Sequence, residues 1–171
     1  SLSIGKVKCF YGNFLVALRA AVYIDTLGAE GIKDAAQKAV LNANYLMEGL
    51  KEFYPVAYDR VCMHEFVLTL ENLKHEKGVS AMDVAKAMLD YGIHPPTMYF
   101  PLIVHEDLMF EPTETETKET LDEAIRVLGE IRQIAEKDAQ SLHEAPHRTI
   151  IGRVDEVRAA RQPVLKYAFN D

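Results

Sequence analysis

The run Met109-Phe110-Glu111-Pro112-Thr113-Glu114-Thr115-Glu116-Thr117 constrains this chain more than any other. Its first residues suit the end of a strand, and Pro112 fixes its own φ and turns the chain. Leu121, Ala124, Ile125, Leu128, Ile131, Ile134 and Ala135 then recur at helical spacing. A strand therefore hands over to a long amphipathic helix, predicted from about residue 118 to 137. A helix N-terminus leaves backbone N–H groups free, so hydroxyl and acidic side chains are favoured there. Thr113 and Glu116 have capping-box spacing, and Thr117 is a second candidate cap. On the residues alone, an ordinary strand-to-helix junction accounts for most of the run.

The rest of the chain builds the surroundings of that junction. Phe10, Phe14, Leu18, Ala21 and Val22 predict a first helix over about 9–27, with Gly28 as its stop. Most of its other positions are apolar too, so it is expected to lie buried between elements. A second helix is predicted over 30–53, where Ile32, Ala36, Ala43, Leu46, Met47 and Leu50 form one stripe before Pro55. Phe66-Val67-Leu68-Thr69-Leu70 is rich in strand formers and predicts a strand over 64–70. Residues 74–78 read as an exposed turn. Ser80 caps a third helix with Asp83 at the capping-box position, and Gly92 ends it. Short strands are expected near 98–100 and 108–110. After Ala145-Pro146 an irregular tail is expected, apart from a short helix near 155–161. The fold class is α+β: a single domain over 1–171, in which long helices precede a small sheet covered by helices on one face.

Charge and composition exclude some functions. The net charge of −7, from 19 basic and 26 acidic residues, argues against nucleic acid as a partner. The most apolar run, from Phe14 to Ile24, contains Arg19 and falls far short of the roughly 20 residues a membrane span needs, so no membrane is expected. Cys9 and Cys62 suit a reducing compartment and lie in no metal-ligand spacing, so no metal is expected. With no signal-peptide pattern at its start, the chain reads as soluble and cytoplasmic.

Several short motifs, taken with the Glu111–Glu116 run, carry a family resemblance. These are Gly12-Asn13-Phe14, Asn42-Ala43-Asn44-Tyr45-Leu46, Cys62-Met63-His64-Glu65-Phe66 and His94-Pro95-Pro96-Thr97-Met98-Tyr99-Phe100-Pro101. In this order the chain resembles the C-terminal part of the lysine-bearing subunit, or half, of the glycine-cleavage P-protein. That enzyme is the pyridoxal-phosphate-dependent, decarboxylating glycine dehydrogenase. The resemblance implies the small C-terminal domain of a fold-type I enzyme, closing a cleft against a larger domain. It implies glycine as substrate, another P-protein subunit or domain as partner, and the lipoylated H-protein as acceptor of the aminomethyl group. The family's Schiff-base lysine, in a His-Lys-Thr run, and its glycine-rich loop are not in this sequence. Pyridoxal phosphate is thus expected in the full enzyme but not bound covalently here, and the chain alone is expected to be inactive. The alternative is a stand-alone, non-catalytic assembly module that keeps the fold. An apolar first helix without its partner also predicts homo-association of the isolated domain.

The candidate substrate-channel residues are Asn13, Arg19, His64, His94, Thr97, Glu111, Thr113 and Glu114. A histidine beside a cleft can shuttle a proton, but His64 can equally open a strand and bond a backbone carbonyl. His64 and Glu65 cannot both face one cleft from a regular strand, where neighbours alternate. His94-Pro95-Pro96-Thr97 is stiff and extended, suited to a channel wall or to a plain connection. Arg19 either reaches a carboxylate or sends its head group to solvent past apolar neighbours. His75, His105, His143 and His147 lie in polar settings and are expected to be solvated. Individual catalytic roles are not assigned.

Overall fold

Gly28 divides the longest helix of the chain. In the computed structural model, which describes residues 2–167 and 169, α1 spans Phe14–Leu50 with Gly28 at φ 63° and ψ −176°. Only glycine adopts that backbone without strain, so the expected stop is a break between two helical halves. The helix begins at Phe14, not Cys9, because Gly12 has φ 115° and Asn13 is extended. It ends at Leu50, where the amides of Phe53 and Tyr54 both turn back onto the Leu50 carbonyl.

The first half overturns an expectation. Phe14, Leu15, Val16, Val22 and Ile24 are each more than half exposed. The second half carries the buried residues Ala43, Leu46, Met47 and Leu50 instead. An apolar composition shows that a face wants cover, but not that this stretch of chain supplies it.

Beyond α1 come β1 (Phe66–Thr69), α2 (Glu71–Lys77), α3 (Ala81–Leu89), β2 (Thr97–Met98), β3 (Asp107–Phe110), α4 (Lys118–Lys137), α5 (Ala139–Glu144) and α6 (Glu156–Arg161). The sheet is antiparallel, in the order β1-β3-β2. Phe66 pairs with Phe110 and Leu68 with Leu108, and side-chain alternation sends all four to one buried face. The Phe66 and Phe110 rings stack there, 5.4 Å apart. Against this face lie the second half of α1, α3 and α4, giving the α+β layer. α1 and α4 approach closely at Gly49, where a Cβ would run into the Ile125 side chain. The buried Tyr54 hydroxyl donates to the Leu128 carbonyl of α4 at 3.0 Å, and burial pushes its phenol up.

Local departures have local causes. The expected exposed turn at 74–78 is the end of α2, which buries only Leu73 and so shows no apolar period. α5, in a stretch to which the sequence assigned no element, likewise buries only Leu142. β2 stops at Met98 because Tyr99 has φ 58°. α4 matches its expected span, but its cap is Thr117, whose hydroxyl accepts the Thr120 amide. The Thr113 hydroxyl is turned to Thr115 instead.

The Ser80–Asp83 capping box forms as expected and is the centre of a larger network. Asp83 Oδ2 accepts from the Ser80 amide and hydroxyl, at 2.9 and 2.6 Å, and lies 3.2 Å from His143 Nδ1. Asp83 Oδ1 accepts from Arg153 at 2.9 Å, and Arg153 also donates to the Leu142 and Ala145 carbonyls. Burial pushes the Asp83 carboxyl up, but the Ser80 donors and the Arg153 guanidinium outweigh it and hold it below the ordinary range. Asp90, at the other end of α3, accepts the His147 and Arg148 amides. His143 and His147 are thus exposed but also bonded, the latter to the Ser141 carbonyl. Among the described residues, no helix is long and apolar enough to cross a membrane.

Candidate functional site

The pairing of Phe66 with Phe110 sets the start of β1 beside the end of β3, which brings two sequence motifs together. His64 lies just before the strand, not in it, and so escapes the alternation that would separate it from Glu65. Its Nε2 is 3.7 Å from Glu111 Oε1 and 3.9 Å from Glu65 Oε2. All three side chains are about half exposed. An imidazole flanked by two carboxylates at an open edge is equipped to take up and pass on a proton.

Both loops at this edge hang from the second half of α1. Asn42 Nδ2 donates to the Thr113 and Glu116 carbonyls at 2.9 and 3.1 Å. Asn44 holds both backbone groups of Cys62: its Nδ2 donates to the Cys62 carbonyl at 2.8 Å, and its Oδ1 accepts the Cys62 amide at 3.0 Å. Burial, the main influence, pushes the Cys62 thiol up. Asn42 and Asn44 were not among the candidate residues. The available signal was a pair of amides flanking Ala43 of the apolar stripe, one on each side.

A groove of about 730 Å³ adjoins this edge. Its floor includes Leu46, Met88, Met109 and Leu121. One wall is His94-Pro95-Pro96-Thr97, and the other carries Glu111, Pro112, Glu116 and Glu119. His94, Thr97 and Glu111 therefore share one groove. Thr113 and Glu114 turn away from it, and Glu114 accepts a 2.8 Å hydrogen bond from the Tyr23 hydroxyl. Asn13 and Arg19 stand apart on the exposed first half of α1. The Asn13 side chain makes no cap bond. Arg19 lies one helical turn before Tyr23 among exposed Val16, Leu18 and Val22.

The groove lining holds four glutamates and one histidine but no lysine or arginine. It offers no amine for a Schiff base and no cation for a phosphate. Pyridoxal phosphate does not fit these residues, and no chemical step through it is assigned to them.

Fold and edge together define a class: an α+β domain with a small antiparallel sheet, helices packed on one face and an open groove at the sheet edge. Residues 35–150 match the family model described as the C-terminal domain of glycine dehydrogenase, and the chain belongs to that family. It is 62% identical over 96% of its length to a probable glycine dehydrogenase (decarboxylating) subunit 2 of Treponema denticola, covering 34% of that protein. Its identity to the subunit 2 protein of Thermosipho melanesiensis is 53% over its whole length, covering 36%. The chain thus spans about a third of the length of these relatives. A crystal structure of glycine decarboxylase (P-protein) of the glycine cleavage system, in inhibitor-bound form, matches 72% of the chain and 28% of its own. The TM-score is 0.60 and the identity 26%. The family resemblance carried by the motifs holds.

Proposed function

We propose that this chain is a single C-terminal domain of a pyridoxal-phosphate-dependent glycine-decarboxylating enzyme and forms one wall of its active-site cleft. The carrying observation is the edge where His64 meets Glu111, with both loops held from α1 by Asn42 and Asn44. His64 Nε2 is the atom of this chain placed to hold or move a proton, with the Glu65 and Glu111 carboxylates 3.9 and 3.7 Å away. The acidic groove wall favours a cationic group over a carboxylate and orients what enters. The stiff His94–Thr97 wall keeps that entrance in shape. Docking of a lipoylated H-protein and pairing with another P-protein subunit are part of this reading, supported by family membership. The cytoplasm is the matching compartment.

The test is glycine decarboxylation by the full-length protein with pyridoxal phosphate and lipoylated H-protein. His64→Ala is expected to lower activity roughly 100- to 10,000-fold, the range of a lost proton-transfer group, and Glu111→Gln is expected to lower it less. Unchanged activity in both variants would remove the edge from the active site. The 171-residue chain alone is expected to be inactive. Turnover by it would overturn the claim that it supplies only part of the site.

An assembly role is favoured by a different observation, the exposed apolar first half of α1. On that reading the chain binds a partner subunit through residues 14–27, and the isolated domain self-associates. A clean monomer by light scattering at high concentration would count against self-association.

A further inference from the structure

The Glu111–Glu116 loop is gripped from α1 at two places, one on each side of the Gly28 break. After the break, Asn42 holds the loop backbone at the Thr113 and Glu116 carbonyls. Before it, Tyr23 donates to Glu114 Oε1 at 2.8 Å. Among the described residues, no other side-chain hydrogen bond joins residues 14–27 to the rest of the chain. A continuous helix would carry Tyr23 along one straight axis with Asn42. The φ of 63° and ψ of −176° at Gly28 redirect that axis and so decide where the Tyr23 hydroxyl arrives.

We propose that Tyr23 is a positioning residue for Glu114. The Gly28 break delivers its hydroxyl, so α1 fixes the Glu114 carboxylate relative to the backbone that Asn42 holds. This rests on the reading of the 111–116 loop as part of a cleft wall, and it adds a residue and a joint that the motifs did not single out. A Cβ at Gly28 would meet nothing within 4 Å. Gly28→Ala therefore brings no packing clash and acts through the backbone alone, because alanine does not hold this φ and ψ without strain.

The Tyr23 phenol reports the contact. Its hydrogen bond to Glu114, partial burial and the nearby negative charge all raise its ionisation above the ordinary tyrosine value. The experiment is an NMR titration of the 171-residue chain with labelled tyrosine, using Tyr23→Phe to assign the resonance. Wild-type Tyr23 is expected to titrate above the ordinary tyrosine value, about 10. Glu114→Gln is expected to return Tyr23 toward the ordinary value, about 10. Gly28→Ala is expected to do the same with both partners still present, its helix content checked by circular dichroism. Wild-type Tyr23 titrating at the ordinary tyrosine value, or Gly28→Ala leaving its shift intact, would overturn the proposal.

In the full-length enzyme, Tyr23→Phe and Glu114→Gln are each expected to lower kcat/KM about 3- to 10-fold, and the double variant no further, as for two residues acting as one unit. Additive losses would overturn the coupling. The titration needs no turnover, so it stands or falls separately from the decarboxylase assay.

Discussion

Two clusters of charged groups on this molecule use similar chemistry in opposite ways. At the N-terminus of α3, Asp83 is buried, and Ser80, Arg153 and His143 surround its oxygens. At the β1–β3 edge, His64, Glu65 and Glu111 stand half exposed at 3.7 to 3.9 Å, beyond good hydrogen-bond distance. The first cluster is saturated and ties the segment after α5 to the body. The second is unsaturated and keeps spare bonding capacity at an open edge. Saturation inside and spare capacity at the rim distinguish groups that hold a fold from groups available for chemistry.

That contrast fails if Asp83 proves dispensable, so its replacement carries the largest expected effect. Asp83→Ala leaves the Arg153 guanidinium and the Ser80 donors without their acceptor and is expected to cost about 3 kcal/mol in urea unfolding. The folded carboxyl titrates below the unfolded one. This contribution is therefore whole above about pH 5 and is lost as the pH falls through the folded value. The variant is expected to show a flatter acid limb than wild type.

Asn44→Ala removes both bonds to Cys62 and is expected to cost about 1–2 kcal/mol, with faster amide exchange at residues 61–64. Asp107 sharpens the comparison from the other side. It is fully buried in β3, yet among the described residues neither carboxyl oxygen has a hydrogen-bond partner. Burial pushes its carboxyl up, so the stability it lends is present below its unfolded value and lost as the pH rises through the folded one. Asp107→Asn is accordingly expected to raise stability at neutral pH by about 1 kcal/mol. The smallest effect belongs to the open edge. His64→Ala is expected to change unfolding free energy by less than about 0.5 kcal/mol. A large loss there would make His64 a structural residue.

The long elements were legible because their patterns are local. α4 declares itself through a stripe from Leu121 to Ala135, and α3 through the Ser80–Asp83 box. Gly28 marks the break in α1 and the stripe from Ile32 to Leu50 shows that the chain resumes as helix, although nothing local gives the direction of the new axis. α2 and α5 were missed because a short helix burying one leucine, Leu73 or Leu142, has no period to detect. The approach of His64 to Glu111 depends on strand register across residues far apart in sequence. The reach of Tyr23 to Glu114 depends instead on how the Gly28 break aims the first half of α1. The motifs marked both loops as a site, but not that amides two residues apart on one helix hold them.

That arrangement has a mechanical consequence. Asn42 anchors the loop bearing Glu111 and Asn44 anchors the segment leading to His64, and both sit within one turn of the same rigid helix. If α1 tilts when something docks on its exposed half, the two anchor points move together. Their absolute positions change while their separation hardly does. The helix thus acts as a common mount, rejecting shared motion and preserving the gap between an imidazole and its carboxylate.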